Sequence, residues 1–410
     1  MIELTAEQNS IIQEALYWFM NSSEQIFEIS GCAGTGKSVV LGEIVRRLNL
    51  RSDQYIAAAY TGAAAIVMRT KGFRDARSLH SVFYKCIPIG KYDFIDFDDE
   101  INTTFNTPKR RFKFVPLDVG DLDSRIRLIV IDEAFMVPDY MKINIMKHGI
   151  KILASGDVNQ LPPVSGNPAF FRGNIPIHYL TQIMRQNANN AILYIALRIL
   201  NDKPIHCGVF GNVTVIEDKD LTSDMLYHVG NVICYSNNTR DMFNHNIRVL
   251  HGKQSIAPEY GDRVICRHNN WDIDFNNLSL ANGLLGTIVS PITPESLCNN
   301  SKDKKNYGTF KMDFLPDLIQ VPFRNIHANY EYIVSPYKRR EEIKSSKHYN
   351  GELFEYAYAI TAHVSQGSEY SSGIFYEEPC RPEQAKAVEY TAVTRFKERL
   401  IYVKKCKKYY

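Results

Sequence analysis

Between Ile29 and Val40 the chain reads ISGCAGTGKSVV, and Gly31 to Ser38 fit the pattern GxxxxGK[ST]. Residues of these types at this spacing bind phosphate. Glycines let successive backbone N–H groups converge on an anion at the start of a helix, where the helix dipole adds positive potential. On that geometry Gly31, Gly34, Thr35 and Gly36 surround the phosphates, Lys37 reaches the β and γ groups, and the Ser38 hydroxyl ligates Mg²⁺. A second set of reactive groups closes the apolar run RLIVI, where Asp132 and Glu133 follow one another. A carboxylate at the end of a neighbouring buried strand points at such a metal, so Asp132 is expected to hold it through water and Glu133 to position or deprotonate the attacking water. Taken alone, two acids after a strand also read as a helix N-cap with a first-turn charge. The glycine loop upstream favours the metal reading, and the expected substrate and cofactor are ATP and Mg²⁺.

The surrounding elements suit these roles. TAEQNSIIQEALYWFM and VVLGEIVRRL carry apolar residues at helical spacing, while IFEIS, QYIAAAY, RLIVID and KILASGD read as strands. Such alternation is the sequence form of a parallel sheet covered by helices. It breaks at about 85–125, where KYDFIDFDDEINTTFNTPKRRFKFVPLD predicts a β-rich insertion with a hairpin turning near NTTFNTP. A second α/β unit is expected over 182–270 plus 351–410, interrupted by a strand-rich stretch at 271–350 without helical periodicity. The first unit is then 1–181.

Bulk properties narrow the classes. A chain of 410 residues has room for several cores, and 45% hydrophobic with 23% charged residues is ordinary for a globular protein. No apolar run approaches the roughly 20 residues of a membrane span, and MIELTAEQNS lacks the pattern of a secretory signal, so a cytoplasmic protein is expected. The eight cysteines form no CxxC, which points to reduced thiols rather than a zinc or disulfide framework. A net charge of +3 does not by itself indicate nucleic acid. Neither the NKxD of a GTPase nor the LSGGQ of a transporter ATPase occurs.

The remaining motifs resemble those of superfamily 1 helicases, in one order from Gln8 to Arg395: LTAEQ, GCAGTGKS, YTGAAA, SLHS, VIDEA, GDVNQLPPV, LTQIMRQ, AITAHVSQGSEY and EYTAVTR. The resemblance implies an α/β fold of two RecA-like P-loop motor domains with parallel sheets, each carrying a small β-rich insertion, and ATP in the cleft between them. It further implies that Gln8 reads the adenine edge, Asp157 and Gln160 sense the γ-phosphate, Gly367 and Glu369 lie near the nucleotide, and Arg185 and Arg395 act as arginine fingers from the second domain. A lone arginine is otherwise most simply a surface ion pair. Thr61, Gly62, His80, Thr361 and His363 sit where the family contacts a single strand, the competing reading for both histidines being a buried, hydrogen-bonded ring.

GDRVICRHNNWDIDFNNLSLANGLLGTIV resembles the start of the SH3-like insertion of the RecD and Dda branch, and the compact layout is similar to phage-type Dda helicases, which move 5′ to 3′ on single-stranded DNA. Phe135 stands where a serine is common. The first insertion is expected to be the strand-separating wedge, with Phe105 stacking on a base pair and Lys109, Arg110 and Arg111 holding phosphates, although a charge run is more often a solvated face. The expected partners are single-stranded and forked DNA, with a single-strand-binding or replication protein as a further candidate. No membrane is expected, and the protein is expected to be a monomer. An alternative is a nucleic-acid-stimulated ATPase that remodels protein–DNA complexes without unwinding.

Overall fold

The computed structural model describes residues 3–89, 105–107, 110–164, 166–182, 190–275, 278–294, 308–345 and 349–405. The chain enters with helix α1 (Ala6–Asn21), whose N-terminus is a capping box: the Thr5 side chain accepts from the Gln8 N–H at 3.1 Å and Gln8 Oε1 accepts from the Thr5 N–H at 3.1 Å. Strand β1 (Ile26–Gly31) and helix α2 (Lys37–Arg47) flank the glycine loop. Strand β2 (Tyr55–Ala59), helix α3 (Gly62–Thr70), strand β3 (Arg77–Ser78) and helix α4 (Leu79–Phe83) follow. Strands β4 (Tyr84–Ile89), β5 (Phe105–Thr107) and β6 (Arg110–Pro116) pair antiparallel in the order β4-β6-β5. Phe105, expected beside the turn, has its backbone inside a strand, paired with Phe112. Strands β7 (Leu128–Asp132), β8 (Lys151–Gly156) and β9 (Ile177–Leu180), with helix α5 (Asp139–Met146), complete the first sheet, which is parallel throughout in the order β3-β2-β7-β8-β1-β9.

The apolar runs explain this sheet. In β7, Leu128 and Val130 pack into one core with α1 and α2, whereas Ile129 and Ile131 pack into another with Phe83, Met141 and Ile145. A parallel strand buried on both faces must be apolar at every position, as LIVI is.

The second unit runs through α6 (Ala191–Leu200), β10 (Gly208–Phe210), β11 (Val213–Glu217), α7 (Ser223–His228), β12 (Val232–Cys234) and α8 (Asn237–Leu250). It is interrupted by β13 (Arg263–Cys266), β14 (Asn270–Phe275), β15 (Leu278–Leu280), β16 (Leu285–Ile288), β17 (Thr293–Pro294), β18 (Thr309–Pro316) and β19 (Phe323–Asn329), then helices α9 (Tyr330–Val334) and α10 (Tyr337–Ser345) and strand β20 (Phe354–Tyr356). Strands β17-β18-β16-β13-β20 form an antiparallel sheet with β19 beside β18. That sheet begins at Arg263 and ends at Tyr356, beyond both limits of the strand-rich 271–350 stretch, because RVIC and FEY supply buried strands to its core. Two helices also lie within 271–350, where none is legible as a periodic pattern.

The chain returns through β21 (Ala359–Thr361), α11 (Ala362–Ser365), β22 (Tyr370–Tyr376), α12 (Pro382–Thr394) and β23 (Phe396–Lys404). The second main sheet has the order β10-β11-β23-β22-β12-β21, with β10 antiparallel and the other pairings parallel. Among the described residues no helix is long and apolar enough to cross a membrane, and Cys32, Cys207, Cys234, Cys266 and Cys380 are free thiols.

Candidate active site

The glycine loop leaves β1 at Gly31, where an added Cβ would lie 2.6 Å from Thr35 Oγ1. Gly34 and Gly36 hold positive φ angles of 86° and 85°, a conformation that glycine adopts without steric cost. Gly36 is the N-cap of α2 and supplies no capping side chain, so the first N–H groups of the helix stay open to an anion. Lys37 Nζ donates to the Gly31 and Cys32 carbonyls at 2.7 and 3.1 Å, folded over the loop it would serve.

Ser38 Oγ donates to Asp132 Oδ2 at 3.2 Å, which joins the two expected metal ligands directly. Asp132 Oδ1 accepts from Ser155 Oγ at 2.5 Å and from the Glu133 N–H at 3.0 Å, so the carboxylate is oriented from both sides. Glu133 takes a left-handed backbone conformation with φ 52°. Burial pushes its carboxyl above the ordinary value, with Arg395 opposing and Asp132 reinforcing the shift. A raised carboxyl beside a phosphate site is suited to accept a proton from water.

The opposite wall comes from the second sheet. Arg395 caps the C-terminus of α12, is 4% exposed, and places Nη1 3.9 Å from Glu133 Oε1. Its Nε and Nη1 donate to the Thr391 and Ser368 carbonyls at 3.2 and 3.3 Å. Glu369 pairs with Lys71 of the first unit at 3.2 Å and with Lys397 of its own. Burial alone would push the Glu369 carboxyl up, but the two ammonium groups bring it down to about 2. Gly367, with φ 74°, lies so close to α3 that a Cβ would be 2.7 Å from Ala64 Cβ.

Lys37, Ser38, Asp132, Glu133, Gln160, Glu369 and Arg395 thus line one cleft of about 1070 Å³ between the two sheets. Gln160 is 5% exposed, and among the described residues its buried Oε1 has no hydrogen-bond partner, which leaves an acceptor open at the cleft.

Some expected residues fall elsewhere. Gln8 does not line the cleft; its Nε2 donates to the Thr35 carbonyl at 3.1 Å and its Oε1 closes the α1 cap, so both ends of the amide bind protein and Leu4 and Asn9 take the cleft wall beside it. Arg185 and Lys109 lie outside the described residues, as do the side chains of Phe105, Arg110 and Arg111. Conversely, Lys71, Lys397, Arg46 and Arg47 line the cleft with no motif to announce them. Their only signal is charge.

Two of the residues expected to meet a nucleic-acid strand, Thr61 and Thr361, each lie where a strand of a main sheet runs into a helix. Thr61 follows β2 and caps α3 through the Ala64 N–H at 3.1 Å, and Thr361 ends β21 and caps α11 through the Val364 N–H at 3.4 Å. Gly62 is pressed by the connection between β15 and β16, since a Cβ there would lie 2.3 Å from Ala281 Cβ. His80 sits among Tyr60, Tyr84 and Phe114, with ring centroids at 5.9, 5.4 and 5.9 Å, and burial lowers its pKa to about 4. That is the environment of a packed neutral ring. His363 lies 6.2 Å from the Tyr235 ring, and burial lowers its pKa as well.

A P-loop facing a second α/β unit across a cleft defines a two-domain nucleotide-site protein of the RecA-like type. Residues 3–209 match the family model described as AAA domain, and the chain belongs to that family, within it to the superfamily 1 proteins of the RecD and Pif1-like kind. It is 25% identical over 298 residues to the ATP-dependent RecD2 DNA helicase of Deinococcus radiodurans, covering 66% of this chain and 35% of that protein. The chain therefore spans about a third of that relative's length. Among solved structures, one of Pif1 helicases at forked dsDNA superposes with a TM-score of 0.55 at 19% identity, covering 98% of this chain and 92% of that one. The Bacteroides Pif1 helicase in complex with ADP-AlF3 and ssDNA gives 0.53 at 18% identity with the same coverage. These two likenesses establish the shared fold.

Proposed function

We propose that this protein is an ATP-driven DNA helicase that moves along single-stranded DNA, in the 5′ to 3′ direction, and opens duplex ahead of it. The observation that carries this reading is the division of one cleft between two sheets: Lys37, Ser38, Asp132 and Glu133 stand on the first, Arg395 and Glu369 on the second. A site built that way closes when the γ-phosphate is present and relaxes when it leaves, which converts hydrolysis into relative motion.

In this reading the N–H groups around Gly34, Thr35 and Gly36 hold the phosphates and Lys37 turns from the loop carbonyls to the β and γ groups. Glu133 draws a proton from the attacking water, Gln160 orients that water through its open Oε1, and Arg395 offsets charge that develops on the transferred phosphoryl group. A hydroxyl and a carboxylate 3.2 Å apart are the hard oxygen donors that Mg²⁺ accepts together with phosphate oxygens, so Ser38 and Asp132 fit as its protein ligands. When bound, the metal supplies Lewis-acid neutralisation of the phosphate charge. Arg185, by motif, is the second cation for the γ-phosphate.

Thr61 and Thr361, each capping a helix that follows a sheet strand on a different unit, support a strand path across both units, and the antiparallel β4-β6-β5 element supports the wedge. The relatives named above are an ATP-dependent DNA helicase and Pif1 proteins solved with ssDNA or at a fork, which supports DNA as the track. Polarity, the narrower Dda likeness, monomeric action and any single-strand-binding partner rest on motif resemblance.

The deciding assay is unwinding of duplexes bearing a 5′ or a 3′ single-stranded tail, with ATP and Mg²⁺. Unwinding of the 5′-tailed substrate alone is expected. Faster unwinding of the 3′-tailed substrate would overturn the polarity, and an intact duplex combined with removal of a protein bound to single strands would favour the remodelling ATPase instead.

A further inference from the structure

The second unit grips the first through a short row of buried hydrogen bonds. The Tyr390 hydroxyl, on α12, donates to Asp157 Oδ2 at 2.7 Å and accepts from the Ala33 N–H at 3.1 Å. One residue on, Thr391 Oγ1 accepts from the Leu161 N–H at 3.0 Å, and Gln366 Nε2 donates to the Leu161 carbonyl at 2.6 Å. Tyr390 is 1% exposed and Asp157 0%. Ala33 belongs to the phosphate loop, while Asp157 begins the GDVNQL segment whose Gln160 lines the cleft. Asp157 Oδ1 is engaged by the Asn159 N–H at 3.1 Å and Nδ2 at 3.2 Å, while Oδ2 takes the Tyr390 hydroxyl.

We infer that Tyr390 is a positioning residue that carries the state of the phosphate loop to the second sheet, by tying the Ala33 N–H and Asp157 through one hydroxyl to the helix that ends in Arg395. The inference deepens the proposed ATP-driven motor and rests on it. Only a hydroxyl both donates and accepts from one atom, and the phenol ring supplies the reach from α12 into the first unit. Ala33 lines the nucleotide cleft, so a shift of the loop on phosphate binding alters its bond to the phenol. Burial and the Asp157 charge push the phenol far above its ordinary value, which keeps the donor proton on it. Arg395 sits at the end of the same helix, so a change at Tyr390 is transmitted along a rigid rod to the arginine facing Glu133.

Tyr390→Phe keeps the ring and removes the hydroxyl. Two readouts apply to the full chain: ATP turnover with single-stranded DNA, resolved into kcat and KM, and amide exchange without nucleotide over residues 26–38 and 151–164. The expected result is a fall in kcat of about tenfold with KM within about twofold, and exchange in both segments faster by about tenfold, the scale of one lost charged hydrogen bond. A kcat within about twofold of the parent overturns the inference, as does unchanged exchange, because the hydroxyl would then not act through these segments. If the parent protein itself turns over no ATP, the motor reading fails, and the exchange measurement still decides whether the tie exists. Parent turnover with a silent Tyr390→Phe sinks the inference alone.

Discussion

The same local geometry is used in opposite ways on the two main sheets. In each, a parallel strand next to the sheet edge runs into a helix: β1 into α2 and β12 into α8. In the first the connection is the glycine loop and the helix N-terminus carries no capping side chain. In the second the connection is Tyr235 and Ser236, Ser236 Oγ caps the helix by accepting from the Thr239 N–H at 3.2 Å, and the Glu378 carboxylate holds that cap from outside. Its Oε1 accepts from the Tyr235 and Ser236 N–H groups at 2.6 and 2.5 Å, and its Oε2 from Ser236 Oγ and Thr239 Oγ1 at 3.0 and 2.6 Å. A helix N-terminus after a strand is an anion site in both cases. The first sheet leaves it open and the second satisfies it internally; in the proposed motor one nucleotide is therefore shared by the pair, and the second unit offers Arg395 to it.

The largest test of that asymmetry is Lys37→Ala, which should lower ATP turnover by about a thousandfold or more while leaving single-strand binding in place. Steady-state hydrolysis alongside fluorescence anisotropy with an oligonucleotide measures both, and normal turnover would remove the phosphate-loop assignment. Next, Arg395→Ala should reduce kcat by about a hundredfold with a much smaller change in ATP affinity, since its partner charge is greatest in the transition state. An unchanged kcat would place this arginine outside the chemistry.

Glu378→Ala addresses the other side of the comparison. Removing a carboxylate that satisfies four donors should destabilise the second unit by about 2–3 kcal/mol. Sulfate should then restore part of the melting temperature in the variant and not in the parent. Indifference of both proteins to sulfate would mean that the internal carboxylate is not standing in an anion site.

The smallest expected effect concerns His80. Its folded-state pKa of about 4 lies below the ordinary 6.5, so the neutral ring contributes stability that is complete above pH 6.5 and is lost as pH falls toward 4. Between pH 7 and pH 5 this amounts to about 1–2 kcal/mol. Denaturant melts of the parent and of His80→Phe at both pH values measure it, and equal pH slopes would show that the ring is solvated rather than packed.

Legibility differed by the range of the interaction. GCAGTGKS and VIDE announce their chemistry because loop, helix start and strand end are contiguous in the chain, and LIVI announces a strand buried on both faces. The strand-rich 271–350 stretch was visible as an insertion whose start the motif resemblance places at GDRVIC, but FEY read as part of the flanking unit because its partner lies across the sheet rather than along the chain. Gln8 sits in a recognisable TAEQ cap, yet the same residue types serve a cap, a bond to Thr35 or an adenine edge, and only packing selects among them.

By itself, then, the sequence determined the phosphate loop, the acidic pair and the order of the two α/β units, since each depends on neighbours within a few residues and on a 2.0 or 3.6 residue period. The tertiary structure alone decided that Lys71 reaches Glu369, that Tyr390 joins Ala33 to Asp157, and that Arg395 faces Glu133. Those contacts join groups from opposite ends of the chain, and nothing in local composition encodes which buried charges will meet once two separate cores have closed on one cleft.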